Sequence, residues 1–535
     1  MPGGGLFSLV AYGAQNVLLS GNPEFTYFYK TYKKYSHFAE ESVTQPMDGP
    51  QNLFYDQPIQ VRLKIQRVAD LVRDMYFTFD IPDIYCKYFD PTQASNLDTS
   101  GNPYRTSQYN FSWVRYIGCS IIENIAFFIG GSKIQEFDGA YMIAKAQADY
   151  DVDTFTKWQR LVGDVPELTN PQQGIYAGGS ASVGYPLVFP DPLSSPANVN
   201  RPSINGRTIQ VPLPFWFTES TFEALPLLSL QYHECEIQIT LRSIQELYQI
   251  LDPSGNTVRP GFVMNPLVPT QPTNPSYSAA ASVSDVTIDN FLTDWGTPNP
   301  LLLTWDLNPS IQMTYVYVTD DERKQFASTA LQYLVRQVTP YQFPGITGRQ
   351  LVELYTHNPI NRLIIIPRRS DSIQYRNDYA NYTNWPFPTT PFVPPTTPYP
   401  PFVLLTEATG QLIQIAGQQP ILQTLRILGD GNELQEEKPI DYFSYVVPWK
   451  YLKGTPDPNL IIYPFGLHSP GQQPDGSINS SRIKLFQVDL NPYPLIGPTS
   501  VNPIGTFYGY DVTIYVENLN WVNISAGMGG LKYAL

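Results

Sequence analysis

Charge, cysteine and histidine are all scarce in this chain of 535 residues: charged side chains make up 15%, and there are 3 cysteines and 4 histidines. Cys86, Cys119 and Cys235 are too few and too widely spaced for a disulfide framework or a thiolate zinc site, and they fit a reducing compartment. His37, His233, His357 and His468 show no spacing that gathers them on one metal, so no metal or other cofactor is expected. Alternation from Tyr232 to Ile239 does put His233 and Cys235 on one strand face, but core packing produces the same pattern. Long apolar runs are also missing. No stretch of about 18 apolar residues exists, which excludes a membrane-spanning helix of the usual kind. No basic residue precedes the short apolar run after Gly5, and Pro2 stands where myristoylation needs glycine, so neither a signal peptide nor an acyl anchor is expected. Positive charge is in deficit, 33 Lys and Arg against 47 Asp and Glu for a net charge of −14. Such a chain repels phosphate backbones, and direct nucleic-acid binding is not expected.

Signatures of catalysis are absent as well. The run Gly178-Gly179-Ser180-Ala181-Ser182 lacks the final glycine of a serine-hydrolase elbow, and Gly527 to Lys532 lacks the glycine-lysine-hydroxyl order of a phosphate loop. Asp149, Asp151 and Asp153 alternate as the first ligands of a calcium loop do. However, Thr154 sits where glycine must turn that loop and Arg160 where its bidentate glutamate belongs, so a solvated acidic helix end is expected there. Glu433, Glu436 and Glu437 have no opposing carboxylate that sequence can supply for glycoside cleavage, and they read as a polar turn.

What the chain does have is turn formers and aromatics. It contains 51 Pro, 36 Gly, 37 Tyr and 28 Phe, which favour many short strands joined by turns over long helices. Its length exceeds what one hydrophobic core normally serves, so two domains of about 200 residues or more are expected in an all-β chain. Strand patterns run over Ile59 to Val68, Met75 to Ile81, Ile121 to Ile129, Thr208 to Phe217 and Ile311 to Val318. A helix is predicted from Gly139 to Lys157, and a short one over the acid-first run Asp320 to Ala327. Residues 252–300 and the proline-rich 385–402 have no core periodicity and read as surface loops, the latter favouring polyproline II.

The second half repeats the plan of the first. Leu71 to Phe77 and Pro359 to Ile365 share a pattern of polar residues followed by an apolar run, and 288 residues separate Val72 from Ile360. The strands at Met313 to Val318 and Val512 to Glu517 lie only 199 residues apart. Two copies of one fold, the first with about 90 more inserted residues, account for both offsets. The expected organisation is an arm over 1–25, a first jelly roll over 26–327 with insertions near 135–207 and 252–300, and a second jelly roll over 328–535.

Several segments carry a family resemblance. Leu213 to Phe217, Ala224 to Leu227 and Tyr232 to Glu234 resemble the major capsid proteins of large nucleocytoplasmic DNA viruses, the double jelly-roll lineage. So do Gly5-Leu6, Val10 to Gln15, Leu19 to Pro23, Tyr35 and His37 to Ala39 near the start. Tyr315 to Val318, Asp321 to Arg323 and Phe326-Ala327 are similar to the link between the two rolls in that family. Phe465 to Leu467, Gln473-Pro474, Gly476, Asn479 to Arg482 and Ser525 to Tyr533 are similar to its later signatures. Gly466 and Asp475 depart from the pattern, as do the loops at 252–300 and 385–402.

The resemblance implies two consecutive eight-stranded jelly rolls in a non-enzymatic subunit. Three subunits would form a pseudo-hexagonal capsomer of an icosahedral virion shell assembled in the host cytoplasm. The implied partners are two further copies, neighbouring capsomers, minor capsid proteins and an internal membrane. A minor or penton-like subunit and a carbohydrate-binding or carbohydrate-cleaving β-sandwich protein are the other functions such a chain fits. The candidate inner-face docking arm presents Leu6, Phe7, Leu9 and Val10, with Lys30, Lys33 and Lys34 adding attraction to an acidic surface. Its triple glycine Gly3-Gly4-Gly5 is not expected to hold an element alone. Glycosylation sequons at Asn110, Asn381, Asn479 and Asn523 are permissive only, since without a signal peptide ordinary secretory glycosylation is not expected.

Overall fold

The computed structural model describes residues 3–84, 110–169, 204–251, 303–384, 420–468, 473–495 and 508–533, apart from positions 12, 25 and 31, with short pieces between 257 and 292 and at 405–406 and 412–413. The proline-rich loop 385–402, Cys86 and most of the insertion 252–300 lie outside the described residues.

Among the described residues, sixteen strands form the main paths of two sandwiches, with three shorter strands paired alongside. The first contains β1 (Phe38–Pro46), β2 (Ile59–Lys64), β3 (Leu71–Ile81), β4 (Ile122–Ile129), β5 (Ser132–Phe137), β6 (Arg207–Pro212), β7 (Cys235–Leu241) and β8 (Ser310–Val318). One of its sheets has the order β1-β8-β3-β6 and the other β2-β7-β4-β5. The second contains β9 (Leu331–Ile346), β10 (Gln350–Leu354), β11 (Pro359–Arg369), β12 (Leu422–Gly429), β13 (Asn432–Pro439), β14 (Ile461–Pro464), β15 (Phe486–Pro492) and β16 (Tyr510–Ser525). Its sheets have the orders β9-β16-β11-β14 and β10-β15-β12-β13. Each strand of the second set occupies the place of the strand eight before it, and all these pairings are antiparallel. This is the jelly-roll order twice over, and the two sequence segments matched above are the third strands, β3 and β11, of their rolls.

Side-chain period explains why these segments are strands. In β2, Ile59, Val61 and Leu63 are buried and Gln60, Arg62 and Lys64 exposed, a sheet with one wet face. The run Leu363 to Ile366 in β11 is continuously apolar because both faces are covered. Leu363 and Ile365 enter the core of the second roll, whereas Ile364 and Ile366 join the core that fills the first roll and spans the seam. Strand β16 does the same, with Ile514 and Val516 on one side and Tyr515 on the other.

Four helices of seven residues or more accompany the strands among the described residues: α1 (Gly4–Val10), α2 (Gly139–Asp149), α3 (Val152–Val162) and α4 (Asp320–Ser328). The single helix expected over Gly139 to Lys157 is two helices. Asp151 is extended and its side chain accepts from Thr154 N at 3.3 Å, so it caps a new helix instead of continuing the old one. Helix α3 ends at Gly163, whose φ of 80° is the left-handed conformation that suits glycine. The strand expected through Phe217 stops at Pro212, since Pro212 and Pro214 offer no amide to a ladder. Phe215 and Phe217 instead stack on each other at 5.5 Å and pack on Phe127 of β4, while residues Trp216–Glu219 form a helical turn. Glu433, Glu436 and Glu437 lie on strand β13, not in a turn.

Candidate assembly surfaces and the seam between the rolls

Helix α2 belongs to the insertion between β5 and β6, yet it is packed against the second roll. Its cap Asp138 accepts from Tyr141 N at 2.8 Å with one oxygen and from Tyr515 Oη at 2.6 Å with the other. One turn on, Tyr141 donates its hydroxyl to Glu517 Oε1 at 2.6 Å. At the C-terminal end of the helix, Arg362 of β11 donates to Asp149 Oδ1 at 2.5 Å and pairs through Nε with Glu517 Oε2 at 2.7 Å. Lys145 completes the cluster, 2.8 Å from Asp149 and 3.0 Å from Glu219, and Arg336 of β9 reaches Glu219 at 3.4 Å. Three cations thus face three anions, with Arg362 at 1% and Glu517 at 0% exposure.

The expectation of a solvated acidic helix end therefore fails at Asp149, which is buried because an arginine 213 residues away closes over it. Burial alone would raise the pKa of its carboxyl, but Arg362 and then Lys145 outweigh burial and hold it well below the usual carboxylate range. Glu517 is likewise lowered, the charge of Arg362 overcoming burial. The amide of Gly454 donates to Ala148 O at 2.8 Å, and Gln147 exchanges two hydrogen bonds of 3.0 Å with Asp457. Strands β5 and β9 add Gln135 to Arg336 O at 2.8 Å and Gln337 to Ile134 O at 3.0 Å. These buried polar contacts are directional, so they lock one relative orientation of the rolls where apolar packing alone would allow sliding.

Outside this block lie exposed apolar and basic side chains. Leu6, Phe7, Leu9 and Val10 are all exposed on α1, a helix that buries nothing. A short helix therefore forms despite the glycines at its start. Lys30, Lys33 and Lys34 are exposed on the same arm, and Lys30 lies over the Tyr32 ring at 5.5 Å. Every described residue from 3 to 37 except Thr26 is exposed, so the arm runs on to β1, beyond residue 25. Tyr29, Tyr32 and Tyr35, interleaved with these lysines, add apolar surface, as do Tyr27 and Phe28, which sequence reasoning passed over although aromatic density between Glu24 and His37 was their signal. A second apolar patch, also passed over, is made by Tyr445, Val446 and Trp449 after β13. Trp449 is 87% exposed, and exposed aromatics grouped in this way mark contact surfaces.

The remaining candidate residues are dispersed. Asn381 is 3% exposed and its Oδ1 accepts from Thr383 N and Oγ1, so the side chain of this sequon is enclosed. Asn479 is exposed and caps a turn through Ser481 N; Asn523 is exposed within β16; the side chain of Asn110 lies outside the described residues. His233 Nδ1 lies 3.0 Å from Gly529 O, while Cys235 is buried, which pushes its thiol up to about 12. Among the described residues no three His, Cys, Asp or Glu side chains gather as a metal site. Glu433 pairs with Arg426, Glu436 with Lys438 and Glu437 with Arg349, neighbours within one sheet and its edge.

A doubled jelly roll with a preassembled seam and an exposed arm has sequence relatives. The family model for the N-terminus of major capsid proteins matches residues 26–283, and the model for the major capsid protein of large eukaryotic DNA viruses matches residues 322–530. The chain belongs to the major capsid protein family of large eukaryotic DNA viruses. The major capsid protein of Phaeocystis pouchetii virus is 24% identical over 99% of both chains, and that of Paramecium bursaria Chlorella virus 1 is 23% identical over 99% of both. Among solved structures, the fold is similar to the PBCV-1 virus capsid subunit, with a TM-score of 0.59, 18% identity and coverage of 95% of this chain and 100% of that one. It is also similar to the Faustovirus major capsid protein, with a TM-score of 0.60, 13% identity and coverage of 97% and 96%. In this family member the strand order equates β3 with β11 and β8 with β16. The unequal offsets of 288 and 199 residues therefore reflect longer insertions between β3 and β8 than between β11 and β16.

Proposed function

We propose that this chain is the shell-forming subunit of a virion, without enzymatic activity, and that three copies associate into a capsomer of pseudo-hexagonal outline. One observation carries this reading: each protomer holds two jelly rolls of the same strand order, welded by a buried charge cluster into one block. Three such blocks around a threefold axis place six equivalent rolls in a ring, so a trimer tiles where a hexamer would. The chain divides at α4 into these two rolls. The arm of residues 1–37 faces inward and contacts acidic minor capsid proteins or an internal membrane, supported by its exposed apolar side chains and by Lys30, Lys33 and Lys34. Assembly takes place in the host cytoplasm, a reading supported by the scarcity of cysteine.

Multi-angle light scattering of the purified chain tests the reading. A species of three times the 60.4 kDa protomer mass is expected at micromolar concentration. A monomer under every condition tried, with no larger species, refutes it.

A further inference from the structure

A second feature of the seam is a cavity that the charge cluster does not use. It has a volume of about 220 Å³ and lies where the start of α2, the end of β7, the end of β11 and the start of β16 meet. Two arginines line it, Arg242 from the first roll and Arg368 from the second. Arg242 is anchored by donating to Ser120 O at 3.1 Å and lies over the Tyr379 ring at 5.0 Å. Arg368 is different. It is 7% exposed, its Nε and Nη2 are enclosed without an acceptor among the described residues, and it lies over the Tyr382 ring at 5.6 Å, with the Tyr382 hydroxyl as its polar neighbour.

Two carboxylates also line the cavity, but both are committed elsewhere. Asp138 is engaged by Tyr141 N and Tyr515 Oη, and Asp511 accepts from Gly345 N at 2.9 Å. Neither forms an ion pair with Arg242 or Arg368 among the described residues. Part of the remaining wall is helix α2 at its N-terminus, where Gly139 and Ala140 line the space and the peptide dipoles favour negative charge. An enclosed guanidinium with unmet N–H groups is strongly unfavourable, and a counter-ion in the adjoining space removes that penalty.

We propose that this cavity is a binding site for a compact tetrahedral oxyanion of the phosphate or sulfate class, held between Arg368 and Arg242 at the N-terminus of α2. Because the two arginines come from different rolls, the anion acts as a further tie across the seam, and its occupancy stabilises the protomer. The inference stands on the seam alone and is independent of the trimer reading.

Isothermal titration calorimetry of the full chain in anion-exchanged buffer, at constant ionic strength, tests it with sodium phosphate, sodium sulfate and sodium acetate. Saturable binding of phosphate and sulfate at one site per chain is expected, with acetate at least about tenfold weaker because it offers fewer acceptor oxygens. Arg368→Gln should weaken phosphate by about tenfold or more, the scale of losing charge-assisted hydrogen bonds, and should raise stability in anion-free buffer by removing the unpaired cation. If Arg368→Gln does not fold, Arg242→Gln, on the less enclosed wall, decides by the same loss of affinity. No saturable heat up to about 50 mM phosphate, wild-type affinity in either folded variant, or equal response to acetate overturns the proposal.

Discussion

Replacing Arg362 by methionine isolates the value of the seam cluster. The substitution keeps an unbranched side chain of similar length but removes a cation that is 1% exposed and contacts Asp149 at 2.5 Å and Glu517 at 2.7 Å. Asp149 keeps Lys145 at 2.8 Å, whereas Glu517 is left with the Tyr141 hydroxyl as its principal partner. Breaking a buried pair from one side costs about 3–5 kcal/mol, because the desolvated partner stays behind uncompensated. For a cooperative unit of about 150–250 residues, each kcal/mol moves Tm by roughly 2–4 °C, so Arg362→Met should lower the unfolding temperature by about 6–20 °C. Adding Glu517→Gln to that variant neutralises the orphaned carboxylate. It should recover about 1–3 kcal/mol, a coupling expected for groups in direct contact. Differential scanning calorimetry of the purified variants reads both values. A Tm within about 1 °C of the parent for Arg362→Met, or strictly additive losses in the double variant, refutes the view that the cluster welds the rolls.

Three further predictions use other parts of the structure. A Cβ at Gly139 would be driven into the Cys119 carbonyl oxygen, far inside van der Waals contact, so Gly139→Ala should cost about 3 kcal/mol or more, whereas Gly131→Ala, where nothing lies near the added atom, should cost only the strain of its φ of 81°. Asp149 and Glu517 have folded pKa values below their unfolded ones, so the stability they contribute is complete above about pH 4–4.5 and is lost as pH falls through the lower folded values. Thermal melts should decline below about pH 4, and less steeply in Asp149→Asn; parallel declines would count against this assignment. Deleting residues 1–20, none of which is buried among those described, should leave Tm and soluble trimers unchanged while lowering the yield of closed shells seen by electron microscopy. Normal shells at normal yield would make the arm a passive tail.

Local rules made much of the fold legible. Alternation marked β2 and β7, whose buried and less buried residues follow one another strictly. The paired segments Leu71 to Phe77 and Pro359 to Ile365 revealed a repeat because β3 and β11 fill the same central place in their sheets, where both need an apolar run. The glycines and turn residues near the start agree with the exposure of the described residues there, where no side chain of α1 is buried.

Other features arise only when distant segments meet. Nothing near Asp149 in the chain announces that it is buried, since its partners Arg362 and Glu517 arrive from two strands of the other roll. The aromatic run at Phe215 to Phe217 has strong strand propensity, yet stacking on Phe127 outweighs it once prolines have ended the ladder. Asn381 carries a sequon whose side chain only the fold encloses, and Arg368 has the composition of a surface residue until the second roll closes against the first. By itself the sequence determined the strand periodicity and the doubled plan, because each depends on patterns of neighbours a few residues apart. Tertiary structure alone decided the charge cluster, the seam cavity and the enclosure of Asn381, because burial and pairing of polar groups depend on which surfaces finally exclude water.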